Sequence, residues 1–132
     1  MSWTYSCPHC SAMLNPDETI VLVAQQGETR IMVGLHPEPG NYELSLPPGV
    51  DLEEGSRWDF SCPVCHEGLV TEFNPKLCAL IAHAGGTRGR VLFSCIAGDQ
   101  ATFVVSSEGI LEHHGRDVEK YKAEMAQMKY LL

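Results

Sequence analysis

Basic side chains are scarce in this sequence: 9 Lys and Arg stand against 17 Asp and Glu, a formal charge of -8 over 132 residues. Nucleic acid is therefore not an expected partner, because binding to phosphate needs clustered cations. Arg88 and Arg90 in a glycine-rich turn, with Lys120, Lys122 and Lys129 scattered beyond them, make no such patch. Long hydrophobic runs are missing too. Nothing nears the roughly 20 apolar residues that cross a bilayer, so no membrane role is expected. The opening MSWTYSCPHC has no basic stretch leading into an apolar run, and the expectation is a cytoplasmic protein, where thiols stay reduced. A catalytic apparatus is also lacking: there is no G-x-S-x-G, no H-E-x-x-H, and Gly85-Gly-Thr-Arg-Gly89 lacks the lysine and helix of a phosphate loop. No enzyme activity is expected, and the acidic cluster Asp51, Glu53, Glu54 reads as solvated.

What is present is 44% apolar residues, enough for a core, in a length that suits one compact domain over 1–132. The chain also resembles itself. Trp3-Thr-Tyr-Ser-Cys-Pro-His-Cys10 matches Trp58-Asp-Phe-Ser-Cys-Pro-Val-Cys65, and Asn15-Pro16 matches Asn74-Pro75. Leu22, Ala24, Gly27, Thr29 and Arg30 then match Leu80, Ala82, Gly85, Thr87 and Arg88, continuing from Val33 to Val91. An internal duplication is the expected origin, with a first β repeat over 1–50 and a second over 51–110.

Each repeat reads as a short strand into a Cys-Pro-x-Cys turn, an Asn-Pro turn and a hairpin. Strands are expected over Thr19–Gln25 and Thr29–Leu35 around Gly27, and over Leu77–His83 and Arg90–Cys95, because these runs are β-branched and apolar between turn residues. Asn41–Leu46 and Ala101–Ser106 are expected as outer strands. The prolines of His36-Pro-Glu-Pro-Gly40 and Leu46-Pro-Pro-Gly49 mark turns and a linker, since proline lacks a donor. The nearly continuous apolar runs predict burial on both faces.

Residues 111–132 have no counterpart in the first repeat. Val118, Tyr121, Met125, Met128 and Leu132 are spaced for one side of an amphipathic helix. The expected fold is thus mainly β (α+β), two pseudo-symmetric halves and a C-terminal helix. Its apolar seam is expected to dock on the sheet or to meet a protein partner or a second copy of the chain.

Cys7, Cys10, Cys62 and Cys65 carry the chemistry. A Cys-x-x-Cys turn presents two sulfurs, and a second completes the tetrahedron that zinc favours. Four thiolates also suit iron, which zinc outranks here. Cys7-Pro-His-Cys10 alone spells a thiol-disulfide oxidoreductase motif, but its twin carries valine for histidine and Asn15-Pro16 follows where such a site needs a helix. Cys78 and Cys95 lie in apolar runs and read as small core residues. Spacing gives no ligand pattern between them and His83, His113 or His114.

The paired knuckles, Trp3 to Cys10 and Trp58 to Cys65, resemble zinc ribbons and the rubredoxin-like group, and bacterial families also carry paired Cys-Pro-x-Cys motifs. The resemblance implies a metal-binding β protein, with a rubredoxin-like iron electron carrier as the alternative. Those families often have glycine after the second cysteine, where Ser11 and His66 stand here.

Overall fold

The computed structural model describes residues 3–72, 74–106 and 109–122. Nine strands lie among them: β1 (Thr4–Ser6), β2 (Ile20–Gln26), β3 (Thr29–Leu35), β4 (Leu44–Ser45), β5 (Asp59–Ser61), β6 (Leu77–Ala84), β7 (Thr87–Ser94), β8 (Thr102–Ser106) and β9 (Gly109–His114). The hairpins β2–β3 and β6–β7 turn at Gly27 (φ 59°) and at Gly85 and Gly86 (φ 55° and 82°), left-handed positions that glycine takes without a Cβ clash. All pairings are antiparallel.

Two sheets result, in the orders β1-β6-β7-β8-β9 and β4-β3-β2-β5. Their membership crosses over. β1 precedes the β2–β3 hairpin in the chain but pairs with β6, setting Tyr5 opposite Ala82. β5 precedes β6–β7 but pairs with β2, setting Phe60 opposite Ala24. Each knuckle strand therefore completes the sheet of the other half, so neither half contains every strand of a sheet.

Period-two alternation then divides the apolar residues between two cores. Along β6, Cys78, Leu80 and Ala82 face the second sheet, where Leu22, Val33 and Phe60 meet them. Leu77 and Ala79 face the other way, beside Leu92, Phe103 and Val105. This second face is covered by Val118 and Tyr121, 7% and 2% exposed. β6 is buried on both sides from Leu77 to Ala82, as its nearly continuous apolar run predicts, whereas β3 and β7 are buried on both sides for only two residues each and Met32 on β3 is exposed.

The expected C-terminal helix over 111–132 is corrected. Strand β9 runs through Glu112, His113 and His114, and after Gly115 (φ 105°) there is one turn of 3-10 helix, Val118–Lys120. No helix of seven residues or more occurs among the described residues. The edge of β8 offers a ladder that β9 fills, and tertiary pairing outweighs helical periodicity in a short segment. A 3-10 turn also brings residues i and i+3 to one side, which satisfies Val118 and Tyr121. Met125, Met128 and Leu132 lie outside the described residues.

The expected strand at Asn41–Leu46 shrinks to Leu44–Ser45, because Glu43 and Asn41 close a local turn in which the Asn41 side-chain oxygen accepts the Glu43 N–H at 3.0 Å. The expected strand at Ala101–Ser106 forms as β8 from Thr102, yet β9 and not β8 is the outer strand.

Candidate metal centre

The two knuckles are built alike. In the first, the Cys7 N–H donates to the Ala12 carbonyl at 3.0 Å and the Ser11 N–H to the Cys7 carbonyl at 3.0 Å. In the second, the Cys62 N–H donates to Glu67 at 3.1 Å and the His66 N–H to Cys62 at 2.9 Å. Ser11 and His66 both take left-handed backbone, φ 64° and 66°. That conformation explains why glycine suits this position in the knuckles they resemble.

Because β1 and β5 sit in different sheets, the knuckles that follow them meet at the junction of the two sheets. The Sγ atoms of Cys7, Cys10, Cys62 and Cys65 all lie within 4.8 Å of one another. Cys7 and Cys65 approach to 3.8 Å, and Cys10 and Cys62 also to 3.8 Å. A regular tetrahedron with Zn–S bonds of about 2.3 Å has edges of about 3.8 Å. The donor set therefore fits a tetrahedral metal ion by both chemistry and spacing, with each knuckle contributing two sulfurs.

Depth differs across the cluster: Cys7 and Cys62 are buried, Cys65 is half-buried and Cys10 is exposed. Backbone amides point at the deeper sulfurs. The His9 N–H donates to Cys7 Sγ at 3.3 Å, and the Val64 and Cys65 N–H groups donate to Cys62 Sγ at 3.3 and 3.5 Å. These bonds favour thiolate.

As free thiols the four do not ionise alike. Burial pushes Cys7 up. At Cys62 burial opposes ionisation, but the N–H groups of Cys65 and Val64 and the neighbouring thiols of Cys7 and Cys10 prevail and lower it. At Cys65 the Glu67 N–H pulls downward, whereas desolvation and the thiols of Cys10, Cys7 and Cys62 push it up to about 12. Negative charge cannot gather on four adjoining sulfurs without a cation.

The second ring of contacts ties the knuckles to each other. His9 Nε2 lies 3.0 Å from the Gly68 carbonyl oxygen, so the first knuckle reaches over the second. His66 Nδ1 lies 3.2 Å from the Arg30 guanidinium, which turns it toward β3. Sequence reasoning missed Arg30, since nothing local marks a β3 arginine as a neighbour of a knuckle.

Cys78 and Cys95 are buried in the inter-sheet core, 1% and 2% exposed. The Cys78 thiol is pushed up by its hydrogen bond with Cys95 and by burial. His83 is exposed on β6 and His114 pairs with Glu112 at 2.9 Å. Among the described residues, metal-ligating side chains converge only at the four knuckle cysteines.

Fold and site together define a mainly β protein with a four-sulfur cluster of metal-holding geometry. No protein-family model, curated protein or solved structure matches the chain. No helix among the described residues is long and apolar enough to cross a membrane.

Proposed function

We propose that this chain is a non-enzymatic zinc protein of zinc-ribbon-like type, in which a structural Zn(Cys)4 site clasps the two sheets, and that it serves as a cytoplasmic, bacterial protein-interaction or regulatory module. One observation carries this reading: four sulfurs on two knuckles from opposite sheets, at tetrahedral spacing. Four protein ligands close the coordination shell, leaving no position for water or substrate, so the ion contributes folding free energy and not catalysis. An internal duplication accounts for the paired knuckles and for the matching registers of β1 on β6 and β5 on β2.

The amide N–H groups directed at Cys7 and Cys62 Sγ would equally suit a rubredoxin-like iron, whose potential such bonds tune. Metal analysis with a visible spectrum separates the two: zinc protein is colourless, and a red protein would replace the first reading with an electron carrier. Thiol-disulfide exchange at Cys7 and Cys10 is disfavoured, because a turn and no helix follows Cys7 and the pair belongs to the cluster. Strong exchange activity of the metal-loaded protein would reverse that ranking.

The partner surface belongs to the same proposal. Val118 and Tyr121 are committed to the second core, so a protein partner or second copy would meet Met125, Met128 and Leu132. Affinity capture with and without residues 123–132 is the test. Capture lost on truncation supports the C-terminal segment, and unchanged capture moves the partner to a sheet edge.

A further inference from the structure

The inter-sheet core is not filled throughout. Between the sheets lies a cavity of about 380 Å³, within the range of small-molecule sites, roughly 300 to 1,000 Å³. Its walls come from both sheets, with Tyr5, Leu80 and Phe93 on one side and Ile20, Val33 and Phe60 on the other. None of the four clustered cysteines lines it.

The wall has little to offer a polar guest. Among the described residues no buried side-chain nitrogen or oxygen lacks a partner. The polar groups on the wall are largely engaged: the Tyr5 hydroxyl donates to the Pro37 carbonyl, Trp58 Nε1 donates to Ser56 Oγ at 3.0 Å, the Tyr42 hydroxyl lies 2.9 Å from Thr102 Oγ1, and Ser94 Oγ accepts the Ile96 N–H at 3.1 Å. Water needs two to four polar partners to settle in such a space, whereas apolar cavities take apolar molecules.

Its mouth carries one sign of charge. Glu38, Glu43 and Glu54 line it as exposed residues and form no ion pair among the described residues. The one arginine there, Arg116, is already held by Asp117 at 3.5 Å and by the Gly98 carbonyl at 3.3 Å. Asp99 is neutralised by Lys120 at 3.2 Å. Three unmatched carboxylates repel an anionic guest and tolerate a neutral or cationic one.

From this geometry we propose that the inter-sheet cavity is a binding site for a small apolar molecule, aromatic in size, whose polar end is neutral or positively charged and not anionic. The site is distinct from the metal centre.

Two dyes that share one skeleton test it on the protein as purified: neutral N-phenyl-1-naphthylamine and its anionic counterpart 1-anilinonaphthalene-8-sulfonate. The neutral dye should bind saturably, one per chain, with blue-shifted emission, and the sulfonate at least about tenfold more weakly. Leu52→Trp, at a half-buried lining position, should weaken the neutral dye by about tenfold or more while far-UV circular dichroism is unchanged. The exposed double change Glu38→Lys with Glu54→Lys should raise sulfonate binding relative to that of the neutral dye. Absence of saturable neutral-dye binding would overturn the site. So would binding indifferent to Leu52→Trp in a variant that keeps its fold, or, if Leu52→Trp unfolds, sulfonate binding indifferent to the double change. Equal affinity for both dyes would overturn the charge assignment.

Discussion

At the residue scale, Asn15 shows how one side chain can replace a strand. Its Oδ1 accepts the Tyr5 N–H at 2.8 Å and its Nδ2 donates to the Trp3 carbonyl at 2.8 Å, so the free edge of β1 is satisfied inside the fold. Replacing Asn15 by Ala leaves both backbone groups without a partner and should cost about 1 to 3 kcal/mol, read by chemical denaturation. The cysteines make a prediction about protons. As free thiols both Cys7 and Cys65 are raised above the usual value, so a metal must displace a proton from each. The metal-free form then binds more protons than the loaded form, and raising the pH favours loading. Zinc affinity should rise at least a hundredfold per unit between about pH 6 and about pH 8, about tenfold for each of these two protons. Competition against a chelator of known proton affinity measures the slope, and a flat profile would contradict thiolate ligation.

At the scale of elements, the stretch Val118–Tyr121 acts as a cover on the sheet. The Tyr121 hydroxyl donates to Asp99 Oδ2 at 2.8 Å and lies 3.2 Å from Ser94 Oγ, while its ring closes the face formed by Leu92, Phe103 and Val105. Burial pushes that hydroxyl up to about 12, so it remains a donor at neutral pH. Tyr121→Ala should destabilise the protein by about 3 kcal/mol or more, since it removes a buried aromatic and leaves a cavity. Calorimetric melting of the variant checks it. Tyr121→Phe should keep most of that stability, which separates the ring from the hydroxyl.

At the scale of the molecule, the exchanged strands make the halves interdependent. A chain of residues 1–50 holds β2 without β5 and only two of the four sulfurs, and residues 51–132 hold β6 without β1. Neither should fold with zinc when alone, and mixing them with zinc should restore dispersed amide resonances. A well-dispersed spectrum from either piece by itself would contradict the exchange. In the whole chain, removing the ion by chelation, or Cys62→Ser, should unfold both sheets in one transition, because ligation of zinc supplies on the order of 10 kcal/mol in small metal-folded units.

Much of this was legible in the residues. The knuckle spacing named Cys7, Cys10, Cys62 and Cys65, since a tight Cys-Pro-x-Cys turn can present two sulfurs whatever surrounds it. The β-branched runs marked β2, β3, β6 and β7 to within a few residues, and the apolar run Leu77–Ala82 foretold burial on both faces, which β3 and β7 do not share. These are local properties, and the chain carries them in any context. Other features depended on partners distant in sequence. The spacing of Val118 and Tyr121 fits a helix or a single 3-10 turn equally, and only the open edge of β8 and the bare face of its sheet decided for strand β9 and a short turn. The matching knuckle strands could have closed on their own hairpins. Their exchange was decided by the tertiary fold, in which Tyr5 meets Ala82 and Phe60 meets Ala24. The inter-sheet cavity likewise has no sequence signature, because an unfilled volume is a relation between surfaces and belongs to no single residue.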